Sequence, residues 1–145
     1  MTKPSILTSP KCPADVQAVY AGYPTPAQAY LLSLRDLIFE MAVATPGVGK
    51  LTETLKWGEP AYLTHAPKSG STIRLGWKAK TPGTARLFVH CQTSLIEEWR
   101  AHYSDTLTFE GNRAIALNIN TPLPRAALSH CIAMALTYHA RKTAS

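Results

Sequence analysis

The apolar residues of this chain change their spacing partway along the sequence. Between Thr25 and Met41 they recur at the spacing of one helix face, which predicts a long amphipathic helix that ends before Pro46-Gly47. From Thr72 onwards they alternate with polar residues, which predicts half-buried β-strands. The change of period therefore places a helix ahead of a sheet in one chain.

Three segments carry the alternating pattern. Ile73, Leu75 and Trp77 form the first, and Leu87, Val89 and Cys91 form the second, joined to it through Pro82-Gly83. The third is a hairpin in which Leu107 and Phe109 precede a Gly111-Asn112 turn and Ile115, Leu117 and Ile119 follow it. Short turns between strands indicate antiparallel pairing. We therefore predict an α+β fold, with a small antiparallel sheet of about five strands packed against N- and C-terminal helices.

The remaining helices are predicted from shorter signals. A short helix is expected over Asp15–Tyr20, ahead of Pro24. Thr25-Pro26-Ala27-Gln28 and Ser94-Leu95-Ile96-Glu97 both have the form of a capping box, so a helix start is expected at each. Thr121-Pro122 is expected to open the C-terminal helix. Its apolar stripe is Leu128, Ile132, Ala135, Leu136 and His139.

The length of 145 residues is that of one domain, which we expect to span residues 14–145 after a flexible tail of residues 1–13. No apolar run approaches the roughly 18 residues that a membrane span needs, and no signal peptide is evident. A cytoplasmic location without a membrane partner is the default expectation. The three cysteines have no close pair, so reduced thiols are expected, with Cys91 and Cys131 buried as small apolar residues.

The net charge of +6 is unevenly distributed. No acidic residue lies between Glu59 and Glu97. The basic residues in that interval are Lys68, Arg74, Lys78, Lys80 and Arg86. A basic sheet face of this kind attracts anions or nucleic acid, although spaced charges are also typical of a solvated surface. Both interpretations stay open at this point.

Catalytic and metal-binding patterns are not apparent. The five histidines are His65, His90, His102, His130 and His139, and none has the spacing of a chelating pair. A Cys91–His130 pair across two elements is conceivable, but structural cysteines explain the pattern equally well. We therefore assign no catalytic residue, no metal ligand and no cofactor, and we expect a binding domain rather than an enzyme.

The segment from Lys56 to Tyr62 is the most unusual in the chain. Its aromatic residues carry polar tips, which is typical of side chains at partly exposed pockets. We predict a ligand-binding pocket for a small anionic or aromatic molecule, or for a protein partner. The residues expected to line it are Trp57, Tyr62, Arg74, Trp77 and His90. The alternative is that Trp57 and Tyr62 anchor a turn to the core.

The run Lys56-Trp57-Gly58-Glu59-Pro60-Ala61-Tyr62, placed after a long helix, resembles a motif of the YdhG-like family of bacterial proteins, known as domain of unknown function 1801. The resemblance covers roughly residues 16–140. It implies a compact α/β sandwich similar to frataxin, and it adds an intracellular iron chaperone as an alternative function. Iron binding of that kind uses acidic side chains on the first long helix, which in this sequence are Asp36 and Glu40.

Overall fold

Five helices and six strands make up the part of the chain that the computed structural model describes, residues 9–66 and 69–144. The helices are α1 (Ala14–Ala21), α2 (Thr25–Ala44), α3 (Leu95–Tyr103), α4 (Arg125–Leu136) and α5 (Tyr138–Ala144). The strands are β1 (Lys50–Lys56), β2 (Glu59–Ala66), β3 (Ile73–Trp77), β4 (Thr84–Phe88), β5 (Thr108–Glu110) and β6 (Ala114–Asn118). The predicted α+β class is confirmed, with one strand more than the five expected.

All six strands belong to one antiparallel sheet with the order β1-β2-β3-β4-β6-β5. The first four follow one another as a meander. The chain then forms α3 and returns as the β5–β6 hairpin, in which β6 pairs with β4 and β5 lies at the edge. The predicted hairpin around Gly111-Asn112 is confirmed. The segment from Val48 to Trp57 contains β1. Its spacing alone is ambiguous, because Leu51 and Leu55 fit a helical turn whereas Leu55 and Trp57 fit strand alternation.

Helix α2 begins and ends where its prolines predict. Pro24 precedes it, Pro26 lies in its first turn, and it ends at Ala44, two residues before Pro46. Proline fits the first turn of a helix, whereas the residue before a proline disfavours helical geometry. The predicted apolar stripe is buried up to Ile38, and Leu34 and Ile38 are fully inaccessible to solvent, whereas Met41 at its end is partly exposed.

The core lies between the helices and one face of the sheet. Strand residues such as Ile73, Leu75 and Leu87 meet the stripe of α2 there, and α4 packs against α2 and α3. Because side chains alternate along a strand, the intervening residues lie on the opposite face. We call this second face the outer face, and the residues on it that matter below are Glu59, Arg74, Gly76, Arg86, Phe88 and Glu110.

Two details of the predicted helices are wrong. The starts of α2 and α3 lack a side-chain capping hydrogen bond, and the Ser94 hydroxyl instead donates to Glu98 Oε2 at 2.6 Å. The C-terminal helix is interrupted, because α4 ends at Leu136 and α5 begins at Tyr138. His139 therefore lies outside the stripe of α4 and is exposed.

The prediction for the cysteines is right for Cys131, which is buried, and wrong for Cys91, which is exposed. Strand β4 ends at Phe88, so the alternation that would have turned Cys91 inward stops before it. Burial raises the pKa of the Cys131 thiol to about 12, which keeps this sulfur protonated and unreactive.

The predicted tail, residues 1–13, falls mostly outside the described residues. Its last part contacts α2, where the Ser9 hydroxyl donates to Asp36 Oδ1 at 2.7 Å and Arg35 donates to the carbonyl oxygen of Pro10. In the described part of the chain, each helix is too short or too polar to cross a membrane.

Candidate functional site

A two-residue turn, Trp57-Gly58, joins β1 to β2 between the paired residues Lys56 and Glu59. Both turn residues have positive φ, +56° for Trp57 and +76° for Gly58. This is the pattern of a type I′ turn, whose twist matches that of the strands and which favours Asn-Gly. Glycine accepts this geometry without strain, but for other L-residues it costs roughly 1–2 kcal/mol. Trp57 is the sole non-glycine residue with positive φ among those described.

The indole of Trp57 is also exposed to an unusual degree, with 91% of the residue accessible to solvent. Val43, on α2, is the other large apolar residue that is exposed in the described part of the chain, at 66%. Packing within this domain therefore does not explain why a tryptophan occupies a strained turn position. Because its indole is exposed, Trp57 does not anchor the turn to the core, which was the alternative interpretation of this residue.

An ion pair on the outer face fixes the base of the turn. Arg74 Nη1 donates to Glu59 Oε1, and the guanidinium carbon of Arg74 lies 4.9 Å from the ring centroid of Phe88. Gly76 makes room for this arrangement, since a Cβ atom there would lie 2.3 Å from Glu59 Oε2. Burial raises the pKa of the Glu59 carboxyl, although Arg74 and Lys78 oppose the shift. The guanidinium of Arg74, which was predicted to bind an anionic ligand, is therefore already paired with Glu59.

Tyr62 lies on the other side of the sheet, in the core. Its partner in register on β1 is Glu53, whose Oε2 accepts a hydrogen bond from the Tyr62 hydroxyl at 2.8 Å. The hydroxyl oxygens of Tyr62 and Tyr20 are 2.6 Å apart. Arg35 completes the network from α2, donating from Nε to Glu53 Oε2 at 2.6 Å and from Nη2 to Oε1 at 2.8 Å. We call these four residues the buried polar network.

The buried polar network has the properties of a structural element. The side chains of Arg35 and Glu53 are 7% and 6% exposed, and the two hydrogen bonds between them satisfy both carboxylate oxygens. Burial, reinforced by Tyr20 and Glu53, raises the pKa of the Tyr62 hydroxyl, so this proton is retained. Hydrogen bonding to Glu53 raises the pKa of Arg35, which keeps the guanidinium protonated. The pair connects α2 to β1, and the loss of either partner would leave an uncompensated charge in the core.

Trp77 and His90 occupy two further environments. The indole Nε1 of Trp77 donates to the carbonyl oxygen of Pro82 at 2.9 Å, and its ring lies 5.8 Å from that of Tyr23. His90 is exposed after the end of β4, where its Nδ1 accepts a hydrogen bond from the Gln92 amide at 3.1 Å. Both contacts hold local loops in place.

The five residues predicted to line one pocket are therefore separated. Arg74 is paired with Glu59, which follows the Trp57-Gly58 turn, whereas Tyr62 points to the opposite face of the sheet. The reason is strand register, because Tyr62 pairs with Ile73 and the next residue, Arg74, must point the other way. A ligand-binding role for Trp57 and Arg74 stays a prediction, and Glu59, Gly76 and Phe88 join them as neighbours that the sequence did not indicate.

The outer face is less basic than the sequence suggested. Besides the Glu59–Arg74 pair, Arg86 donates from Nε to Glu110 Oε1 at 2.7 Å and from Nη2 to Oε2 at 3.1 Å. Lys78 and Lys80 are exposed, and Lys68 lies outside the described residues. Two of the five basic residues proposed to bind nucleic acid are therefore already paired with carboxylates.

A shallow depression of about 390 Å³ lies over the ends of β4, β5 and β6. It is lined by Gly83, Thr84, Thr108, Ala116, Leu117, Asn118 and Asn120. None of the five predicted site residues borders it. Its hydroxyl and amide groups carry no charge, so it offers hydrogen bonds to a ligand but no ionic anchor.

The acidic side chains that an iron site would need are already engaged. Asp36 accepts a hydrogen bond from Ser9, and Glu40 Oε1 lies 2.5 Å from Arg125 Nη2. Across the described residues, no three side chains of His, Cys, Asp or Glu converge as a metal site. His130, weighed above as a partner for Cys91, is instead hydrogen-bonded to Tyr103.

Comparison with known proteins returns no match to a protein-family model, to a curated protein or to a solved structure.

Proposed function

We propose that this chain is a non-enzymatic binding module that recognises a protein partner through Trp57. The observation that supports the proposal is the combination of 91% exposure and a positive φ at one tryptophan. Residues held in sparsely populated backbone regions cluster at functional sites. Tryptophan is also the residue type most enriched among the side chains that dominate binding energy at interfaces.

The shape of the site favours a protein over a small molecule. Small ligands bind in concave sites that cover most of their surface, whereas Trp57 projects from the tip of a hairpin. Burying a tryptophan removes roughly 150–250 Å² from water. At about 25 cal/mol per Å², that burial is worth roughly 4–6 kcal/mol before the costs of association. A partner with an apolar pocket for the indole can obtain this energy, which the isolated domain does not use.

The positive charge near the turn indicates which kind of partner surface to expect. Lys56 is exposed next to Trp57, and the chain as a whole carries a net charge of +6. An acidic rim around the indole pocket of the partner would speed association and exclude basic competitors. We therefore expect the partner to present an acidic surface that contains an apolar pocket.

Site-specific photocrosslinking tests the proposal. A benzophenone amino acid at position 57 is expected to give a defined protein adduct in cells that make this protein, and the same amino acid at Val43 is the matched control. The purified partner is then titrated with the unmodified chain, Trp57→Asn and Val43→Asn. We expect Trp57→Asn to weaken Kd by roughly 30-fold or more, since a hot-spot residue contributes about 2 kcal/mol, and Val43→Asn to leave Kd within about twofold.

Two results would contradict the proposal. One is the same set of adducts from positions 57 and 43, or none from either. The other is a purified partner that binds Trp57→Asn as tightly as the unmodified chain. Binding that depends on Arg86 and falls steeply with salt, but not on Trp57, would support the nucleic-acid alternative instead.

Membership of the YdhG-like family stays a prediction, and so does the iron-chaperone alternative attached to it. The iron alternative has less support because Asp36 and Glu40 already have hydrogen-bonding partners and Glu53 is buried against Arg35. Hard cations need several accessible oxygen ligands.

A further inference from the structure

Two histidines from different helices meet on the surface of the domain, away from Trp57. His102 lies near the end of α3 and His130 in the middle of α4, and their ring centroids are 5.4 Å apart. Both residues are exposed. Tyr103, next to His102, places its hydroxyl oxygen 2.6 Å from His130 Nδ1. We call these three residues the histidine pair and its tyrosine.

The separation of the two rings fits one metal ion between them. A zinc–nitrogen bond is about 2.0–2.1 Å long, and a ring centroid lies about 1.1 Å beyond its nitrogen. Two imidazoles on one tetrahedral ion therefore have centroids roughly 5.2 Å apart. The observed 5.4 Å is close to this value. The rings now meet edge to face at 68°, and the exposed His102 ring can turn about χ2, a broad torsion, to direct a nitrogen to the shared point.

Tyr103 prepares His130 as a ligand. When Nδ1 of His130 carries the proton and donates it to the Tyr103 oxygen, Nε2 keeps its lone pair for a metal ion. Histidines that bind metals commonly donate their other ring nitrogen to an oxygen acceptor in this way, which fixes the tautomer and the ring orientation. The tyrosine is therefore a positioning residue for the metal ligand.

We propose that His102 and His130 bind one divalent transition-metal ion of the kind that prefers imidazole, such as Zn²⁺, Ni²⁺ or Cu²⁺. The protein supplies two nitrogen ligands, and water fills the remaining positions. This site differs from the oxygen-ligand iron site of the alternative above, and it shares no residue with the Trp57 surface. Its exposure makes the ion exchangeable rather than structural.

Isothermal titration with ZnCl₂ tests the site. The titrations use a Cys12→Ser, Cys91→Ser background, because the partly exposed and exposed thiols of these two residues are competing zinc ligands. We expect one zinc per chain. Replacing either His102 or His130 by asparagine is expected to weaken Kd at least tenfold, and Tyr103→Phe to weaken it by up to about tenfold.

His90→Asn is the matched control, since His90 is also exposed but lies outside the pair. Its titration is expected to be unchanged. Ring ¹⁵N shifts of His130 provide a second readout, and zinc is expected to move the Nε2 resonance while Nδ1 stays protonated. The proposal is overturned if no heat appears up to about 1 mM zinc, or if His102→Asn and His130→Asn bind zinc as the background does. A thermal melt of each variant confirms that it is folded.

Discussion

The backbone of Trp57 offers a test at the scale of one residue. Asparagine tolerates the left-handed region far better than tryptophan and is the preferred first residue of a type I′ turn. Since the indole of Trp57 is 91% exposed, Trp57→Asn gives up almost no packing. We expect the free energy of unfolding to rise by about 1 kcal/mol, measured by urea denaturation.

Gly58→Ala is the companion substitution at the same turn. Its φ of +76° is strained for alanine although no atom lies within 4 Å of the added Cβ. We therefore expect a loss of about 1 kcal/mol, due to the backbone alone. If Trp57→Asn is more stable but no longer binds the partner, the tryptophan is needed for binding and not for folding stability. A lower free energy of unfolding for Trp57→Asn would contradict the inference that the backbone of Trp57 is strained.

The buried polar network shows why the sequence did not predict some contacts in the core. Arg35 lies four positions after Leu31, within the apolar stripe of α2, and Glu53 lies between Leu51 and Leu55 on the same face of β1. Each is a charged residue at a position where the hydrophobic period predicts an apolar one, and this departure can be recognised in the sequence. Their pairing with Tyr62 is not readable, because it depends on strand register and on where α2 crosses β1.

At the scale of elements, β5 is a three-residue edge strand tied to β4 by the Arg86–Glu110 pair. Hydrogen bonding and the charge of Arg86 lower the pKa of Glu110 in the folded state. Glu110 therefore stabilises the fold above its unfolded pKa of about 4.5, and this contribution is lost as the pH falls through the lower, folded value. We expect Glu110→Gln to be less stable than the unmodified chain at neutral pH, and the difference to shrink on acidification, measured by urea denaturation at several pH values.

Glu59 provides a control of opposite sign. Burial raises its pKa in the folded state, so the folded chain retains this proton as the pH rises above the unfolded value of about 4.5. The stabilisation associated with that proton is then lost as the pH rises through the folded pKa. The difference in stability between the unmodified chain and Glu59→Gln should therefore shift with pH in the direction opposite to that for Glu110→Gln. The same direction for both variants would contradict the two assignments.

Elements with a long, regular period were predicted well, and their ends were predicted poorly. The stripe of α2 and the alternation of β3 each depend on burial against one partner surface, which the pattern records directly. The Ser94 hydroxyl bonds the nearby Glu98 carboxylate in place of a helix amide, a choice that the capping pattern does not record. The break at Thr137 depends on contacts between distant segments. The same limit applies to the candidate site. The motif identified Trp57 and Tyr62 as unusual, and Arg74 was expected to line the same pocket. Only the pairing of β2 with β3 reveals that Tyr62 and Arg74 lie on opposite faces.

At the scale of the whole molecule, the loop between β2 and β3 caps the end of α4. Helices end with carbonyl groups that lack partners within the helix, and buried ones must find them elsewhere. The Ser71 amide donates to the Ala135 carbonyl oxygen at 2.8 Å, and the Ser69 hydroxyl donates to that of Leu136, also at 2.8 Å. In turn the Ala140 amide donates to the Ser69 carbonyl oxygen at 3.0 Å. One loop thus joins the sheet, α4 and α5, and explains why the C-terminal helix is interrupted.

Gly70 permits this close approach. A Cβ atom at position 70 would lie 2.4 Å from both the carbonyl carbon and oxygen of Leu136, and helix backbone cannot move aside as a flexible side chain can. We expect Gly70→Ala to lower the free energy of unfolding by about 2–3 kcal/mol in urea. Hydrogen exchange should quicken at the Ser71 and Ala140 amides.

Gly22→Ala is the matched control for the loss of a glycine. Its added Cβ would make ordinary contacts at 3.5 Å with carbonyl oxygens, and its φ of −78° suits alanine. We expect a change within about 0.5 kcal/mol, or a slight gain from the smaller entropy of the unfolded chain. Equal effects of the two substitutions would mean that the loop does not hold α4. A large loss confined to Gly70→Ala would show that residues near position 70 and position 136, distant in sequence, form one structural joint that couples the sheet to the C-terminal helices.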